Sequence, residues 1–256
     1  MSPFTPPDWL PKVPNGMRIL VVGASGGLGR ALVDMLLSGS SAVIGAHGAS
    51  QRHPSTDPSV IHLTQPFESA ADCEKLIHDF AAKAGGIDAL VCLSGRIHFS
   101  GHWKDMPETD WLRDMDVNLN QPFFLARAAM KIMQDQCTGG RIILNGTESA
   151  LHGGSSQSFP YAIAKRGTEC MVEGLAREGA PDNILVNGIR LGCIRSGFHE
   201  RWHNKTDQDM DKRINLIPLK RAGDPAEAAA LMVYLLSGWS GFITGQMLAL
   251  TGGDWL

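Results

Sequence analysis

Seven short apolar runs, separated by stretches with helical periodicity, constrain this chain more than any other feature. The runs are Arg18–Val22, Ala42–Ala46, Val60–Leu63, Ile87–Leu93, Arg141–Asn145, Ile184–Ile189 and Gln246–Leu250. Short runs rich in Val, Ile and Leu read as strands buried on both faces. Between them, Leu28, Leu32, Met35 and Leu36 share one helical face, and further helical stretches fall near 68–83, 119–136, 159–178 and 224–237. Strands that alternate with helices pair in parallel, because a crossover has to carry the chain back to the starting edge. The expectation is an α/β fold, a doubly wound parallel sheet of about seven strands with helices on both faces. No repeat, linker or composition break interrupts residues 17–256, which read as one domain. Roughly 250 residues is an ordinary size for such a sheet.

Residues 1–16 are different, holding Pro3, Pro6, Pro7, Pro11 and Pro14 out of fourteen prolines. Missing N–H groups and a fixed φ favour an extended leader over a first strand or helix. Its Phe4, Trp9 and Leu10 lie either on the body of the protein or against a neighbouring subunit.

Composition removes several classes of function. With 43% hydrophobic and 19% charged residues the chain is not disordered. No apolar run approaches the ~18–20 residues of a membrane span, and the first residues lack the basic-then-apolar layout of a secretory signal. The net charge is −3 and the basic clusters are pairs such as Lys212–Arg213 and Lys220–Arg221, so no stripe invites nucleic acid. Cys73, Cys92, Cys137, Cys170 and Cys193 are an odd set without a CxxC pair, which fits free thiols in a reducing cytoplasm. The nine histidines show no ligand spacing, and no metal site is expected.

Two local patterns carry chemistry. The first run leads into Gly23-Ala24-Ser25-Gly26-Gly27-Leu28-Gly29 and then a helix. Glycines here let the backbone turn sharply, approach a pyrophosphate and pack the helix on the strand, while the helix N-terminus supplies free N–H groups. The Gly-x-x-x-Gly-x-Gly spacing departs from the commoner Gly-x-Gly-x-x-Gly, but its place between strand and amphipathic helix supports a Rossmann-type nucleotide cradle. The second pattern is Tyr161-Ala162-Ile163-Ala164-Lys165, which sets Tyr161 and Lys165 one helical turn apart on one face. An ammonium beside a phenol lowers the phenol's pKa and suits it to exchange a proton with a carbonyl or alcohol oxygen while hydride moves to or from a nicotinamide. Ala164, Gly167, Met171 and Leu175 form the next face of this helix, which reads as core or subunit contact.

Together these residues resemble a short-chain dehydrogenase/reductase of the compact branch that includes the 3-oxoacyl-acyl-carrier-protein reductases. The resemblance spans residues 17–254. It also draws on Val117-Asn118-Leu119, Val186-Asn187, Leu191-Gly192-Cys193-Ile194-Arg195-Ser196, Ile217 through Arg221, Pro225, Glu227 and Gly245 through Gly253. It implies Tyr161 as proton donor or acceptor, Lys165 on the nicotinamide ribose and depressing the Tyr161 pKa, and Asn118 holding a water in a proton relay. It also implies a hydroxyl on the substrate oxygen, supplied by Thr147 in preference to Ser149. For the cofactor it implies Gly23, Ser25, Gly26, Gly27, Leu28 and Gly29, with Ser94, Gly95, Gly192, Ile194 and Ser196. Three departures stand out. Cys92-Leu93-Ser94-Gly95 replaces NNAG, Thr64 stands for the Asp that usually meets the adenine, and Leu191 for the Pro of the PG pair.

An NAD enzyme needs a carboxylate after the second strand for the ribose 2′-OH. Here the chain reads Gly45-Ala46-His47-Gly48-Ala49-Ser50-Gln51-Arg52. NADP is therefore the preferred cofactor, with NAD possible, and His47, Ser50 and Arg52 are candidate donors to a 2′-phosphate. Phe198, His199, Trp202, His203, Met210, Ile214 and Leu216 sit where the family has a mobile substrate lid, with Arg96, His98, His102 and Trp103 on the opposite wall. Thr138 and Asp182 stand where carrier-protein reductases present basic residues, which favours a free ketone or secondary alcohol. The alternatives are a 3-oxoacyl-acyl-carrier-protein reductase and, in another class, a non-catalytic NADP-binding sensor or partner subunit. By resemblance the protein is a homotetramer.

Overall fold

The computed structural model describes residues 12–203 and 206–254. Seven strands form one sheet in the order β3-β2-β1-β4-β5-β6-β7. They are β1 (Arg18–Val22), β2 (Val43–Gly48), β3 (Val60–Thr64), β4 (Ala89–Cys92), β5 (Gly140–Thr147), β6 (Ile184–Leu191) and β7 (Met247–Leu250). Every pairing is parallel. The main crossovers are α1 (Gly27–Gly39), α2 (Ala70–Ala84), α3 (Glu108–Met115) with α4 (Gln121–Gln136), and α5 (Phe159–Gly179). After β6 come two short helices, α6 (Phe198–His203) and α7 (Asp207–Leu216), and then α8 (Pro225–Leu236).

Period-two alternation sorts each strand between two cores. Ile19 and Val21 of β1 join α1 and α8 on one face. Leu20 and Val22 join α2, α4 and α5 on the other. Phe80 of α2 explains a glycine in the sheet, since a Cβ on Gly45 would lie 2.6 Å from its ring. Helix ends follow side-chain chemistry as well. Ser69, Thr206 and Asp224 each build a reciprocal capping box at the start of α2, α7 and α8.

Element boundaries depart from the apolar runs for identifiable reasons. β4 begins at Ala89 and not at Ile87, because the Ile87 N–H and C=O pair at 2.8 Å with the side-chain amide of Gln136. β5 and β6 run on to Thr147 and Leu191, where polar and small residues continue the ladder after the apolar pattern has stopped. The helix expected near 119–136 begins earlier. α3 runs into a π-helical turn, Asp116–Asn120, and then into α4. Only Asp114 of α3 is buried, so an apolar stripe had nothing to show there.

The leader's residues 1–11, with Phe4, Trp9 and Leu10, lie outside the described residues. Val13 is buried in the core shared by α1 and α8. Among the described residues no helix is long and apolar enough to cross a membrane, and no cluster of metal-binding side chains occurs.

Candidate active site

β1 leads outward to β2 and β3, whereas the chain from β4 onward builds the other half of the sheet. Crossovers on either side therefore diverge at the carboxyl ends of β1 and β4, where doubly wound sheets open a ligand crevice. The glycine turn lies in this opening. Gly23 has φ +85°, and a Cβ there would meet Leu93 C and Ser94 N at 3.1 Å. Its N–H and that of Ala24 donate to the His47 carbonyl at 3.1 and 2.8 Å, tying the turn to β2. A Cβ on Gly29 would lie 2.3 Å from Gly23 O, so α1 packs directly on the turn. Gly26 caps α1 without a side-chain hydrogen bond, and no acidic residue occupies the first turn. The N–H groups at this end, free of a side-chain cap, suit an anion.

A cleft of about 760 Å³ extends along the turn, lined by Gly23, Ser25, Gly26, Gly27, Leu28, Gly29, His47, Ser50, Ser94, Gly95, Arg96, Ser196 and Phe198. Pro66 and Phe67 also line it, and only their place just beyond β3 hinted at this. Three sequence expectations change here. Arg52 is exposed and does not line the cleft. It lies toward His62, whose pKa is lowered by burial and secondarily by the Arg52 cation. Thr64 is also exposed and off the cleft. His47 does line it, but as a buried ring stacked 4.8 Å from Phe67. Its Nε2 donates to the Gln65 carbonyl at 2.8 Å and burial lowers its pKa, so it is a neutral wall and not a phosphate cation.

The second cavity, about 550 Å³, meets the first at Leu28, Leu93, Gly95, Ser196 and Phe198. Its floor includes Thr147, Tyr161, Gly192 and Ile194. Tyr161 and Lys165 stand on the first turns of α5, both buried, with Lys165 Nζ 5.8 Å from the Tyr161 ring centroid. Thr147 places its hydroxyl on the Tyr161 phenol and also accepts from Ser149 N–H at 3.3 Å. Ser149 is on the turn beyond, less buried, and also lines the cavity. Asn118 lies in the π-helical turn, wholly buried. Its Nδ2 donates to Arg96 O at 2.7 Å and Asp114 O at 2.9 Å, and its Oδ1 accepts from Arg96 N at 3.1 Å. Asn145, which the sequence reading did not single out, joins this group. Lys165 Nζ donates to Asn145 Oδ1 at 2.9 Å.

Charge states follow from burial. Lys165 is pushed down to about 8, mainly by desolvation of its ammonium. Tyr161 is pushed up, first by burial and then by the Glu148 carboxylate, with the Thr147 hydroxyl partly offsetting both. The net direction for Tyr161 is therefore upward, where the sequence led one to expect a lowered phenol. Stripping water from a phenolate costs more here than the Thr147 hydrogen bond returns.

Of the expected lid, Phe198, His199, Met210 and Leu216 line the cavity, and Phe198 packs 5.6 Å from the Tyr161 ring. Ile214 faces a small separate core with Cys193, Ile217 and Ala222. Trp202 and His203 belong to α6, but their side chains lie outside the described residues. Arg96 and His98 line the dinucleotide cleft and not the substrate wall, while His102 and Trp103 line neither cavity. Trp103 packs instead on Phe159, 6.0 Å between rings. α7 is tied down by Arg213, which pairs with buried Glu148 at 2.8 Å and with Asp254.

A cleft along a glycine turn, meeting a cavity that holds Tyr161 with Lys165 behind it at the sheet's carboxyl edge, defines a class, the nicotinamide-dependent oxidoreductases. Residues 50–254 match the family model described as enoyl-(acyl carrier protein) reductase. L-rhamnose 1-dehydrogenase (NAD(P)(+)) of Azotobacter vinelandii is 32% identical over 251 residues, covering 92% of this chain and 95% of that protein. A 3-oxoacyl-acyl-carrier-protein reductase of Vibrio cholerae is 29% identical over 250 residues, covering 94% and 98%. The solved structure of a double variant of a Serratia marcescens short-chain dehydrogenase/reductase matches with a TM-score of 0.83 at 25% identity, covering 94% of this chain and 99% of that one. The chain belongs to the short-chain dehydrogenase/reductase family. It is an oxidoreductase acting on CH–OH groups with NAD(P).

The Glu148–Arg213 pair yields a stability prediction. Arg213→Ala leaves a buried carboxylate without its cation and should cost about 3 kcal/mol in urea unfolding, the lower end for breaking a buried pair. Adding Glu148→Gln should recover more than half of that loss. Simple addition of the two losses would contradict the pairing.

Proposed function

We propose that this protein interconverts a ketone and a secondary alcohol on a free small molecule, with NADP(H) as the preferred cofactor and Tyr161 as general acid–base. The observation that carries this reading is the Tyr161 phenol and the Thr147 hydroxyl together on the second cavity, with the buried Lys165 ammonium against the Tyr161 ring. The glycine turn fits a dinucleotide, with its uncapped helix end for the pyrophosphate and Gly95, Ser196, Gly192 and Ile194 around the junction. When bound, the nicotinamide supplies or accepts the hydride.

The protein's own residues handle the proton. In the reduction direction Tyr161 has to be neutral, and burial holds it so, ready to protonate the substrate oxygen. Thr147 donates to the same oxygen as charge develops, and Ser149 is the neighbour able to replace it. The Lys165 ammonium, against the Tyr161 ring, stabilises a phenolate once the proton has left. Asn118 anchors the segment around Arg96 and, by family resemblance, holds a relay water.

The absence of a carboxylate after β2 supports NADP. Ala49, Ser50 and Gln51 line that end of the cleft, and nothing there repels a 2′-phosphate. With Arg52 off the cleft, Ser50 is the candidate side-chain donor that remains. The substrate cavity offers Ser149, His152, Ser155, Gln157 and Ser158 along one wall, which supports a hydroxylated small molecule of the kind named for the Azotobacter relative. The alternative of a carrier-protein substrate is weakened at Asp182, an acidic residue paired with Gln134 where a basic one would meet an acidic carrier.

Tyr161→Phe should lower ketone reduction by about 10²–10⁴ while NADPH fluorescence still reports binding. Unchanged turnover would remove Tyr161 from the chemistry. Because Lys165 is lowered to about 8, its ammonium is present below that pH and lost above it. The pH profile of kcat/KM for reduction should therefore be flat at neutrality and fall through about pH 8. A profile level to pH ~10, near the unperturbed lysine value, would show that the cation is not required. Turnover with NADPH should exceed that with NADH, and equal or better use of NADH would refute the cofactor preference.

A further inference from the structure

We propose that Asn145 is a positioning residue of this active site, its side-chain carbonyl holding the Lys165 ammonium in place beside Tyr161. The proposal rests on the reading of Tyr161 and Lys165 given above and extends it by a residue which that reading does not contain.

The position is unusual for an amide. Ile142, Ile143 and Leu144 precede it in β5 and are essentially inaccessible, and Asn145 itself is 7% exposed. An amide in such a strand is unfavourable unless hydrogen-bonded. β4 ends at Cys92, paired with Leu144, so Asn145 is the first residue of β5 beyond the reach of β4. Lys165 comes from α5, on the opposite layer to the face Asn145 shares with Ile143, and meets Asn145 where β4 has ended.

The need for an acceptor is plain from the lysine's side. Lys165 is 0% exposed and its ammonium has three protons to place. Among the described residues its hydrogen-bond acceptor is Asn145 Oδ1, at 2.9 Å. The titratable groups facing it are Tyr161 on its own helix, with Glu148 behind the phenol, and the Cys92 thiol from β4. None of these is a fixed anion in contact with it. Gly95 marks the meeting point. A Cβ built there would lie 3.4 Å from Asn118 Oδ1 and 3.9 Å from both Asn145 Nδ2 and Lys165 Nζ. Three side chains from β5, α5 and the π-helical turn thus converge under the loop after β4. Asn145 sets where the ammonium sits and how readily it keeps its proton.

Asn145→Leu keeps the approximate volume and removes the acceptor, and Asn145→Asp replaces it with a carboxylate. The alkaline limb is read in two ways, from kcat/KM for ketone reduction and from NADPH binding followed by its fluorescence. Lys165→Met identifies the limb, since it should abolish it. The leucine variant should move the limb about one pH unit toward acid and lower kcat/KM at neutral pH about tenfold, and the aspartate variant should move it toward alkali. Circular dichroism checks that each variant folds, and if the leucine variant does not, the aspartate shift against the parent decides. Limbs that coincide in every folded variant overturn the role of Asn145. If no ketone is reduced but the binding limb moves as stated, Asn145 keeps its role and the proposed reaction fails. If turnover depends on Tyr161 and the limbs do not move, the reverse holds.

Discussion

Parallel strands need a crossover after every strand, and that requirement brings seven carboxyl ends to one edge of the sheet. Everything functional in this protein follows from what happens at that edge. Because β1 starts one half of the sheet and β4 the other, the covering segments separate there and expose backbone that elsewhere is buried. The glycine turn fills the opening on one side and the first turns of α5 on the other. Side chains that are distant in sequence, from Thr147, Tyr161, Lys165 and Asn118, become neighbours because each lies at the end of an element. The core's job is to hold that edge rigid, and the two layers of Leu, Ile and Val on either face do so without contributing a polar group.

Much of this was legible in the residues alone. Strand β1 runs from Arg18 to Val22 as its apolar run indicates, and the other six strands lie where runs of Val, Ile and Leu place them. The glycine turn and the Tyr161–Lys165 pair are local patterns, so spacing reveals them. What escaped was whatever depends on the partner across space. Ile87 looks like a strand residue until Gln136 is seen to occupy its backbone groups. Arg52 looks like a phosphate ligand because charge is visible in a sequence and direction is not. His47 offered a donor on paper, yet a carbonyl and a stacked phenylalanine had already claimed it. Asn145 closes an apolar run and reads as the end of a strand, because nothing local reveals a lysine twenty residues on.

The electrostatics of the site are governed by burial more than by pairing. Desolvation pushes Tyr161 toward its neutral form and Lys165 toward its own neutral form, so each group loses charge for the same reason. At the edge of the substrate cavity Arg213 joins Glu148 and Asp254, and there too burial outweighs the pairing and raises Glu148. Arg213 offsets part of that shift, and the two carboxylates in turn raise Arg213. One cation thereby connects α7, the turn just after β5 and the chain's last described turn.

The π-helical turn at Asp116–Asn120 has a consequence for how this segment tolerates change. A π turn holds one residue more than an α turn, so Asn118 occupies a place that a regular helix would not provide. Removing a single residue between 116 and 120 would let α3 and α4 join as an uninterrupted α-helix, a relaxation that intrinsic helix geometry favours. Because the π turn winds its extra residue into the same turn, α3 and α4 would keep their mutual facing while Asn118 lost its place. The segment's length is thus kept by the chemistry at its centre, against the helix's own preference for regularity.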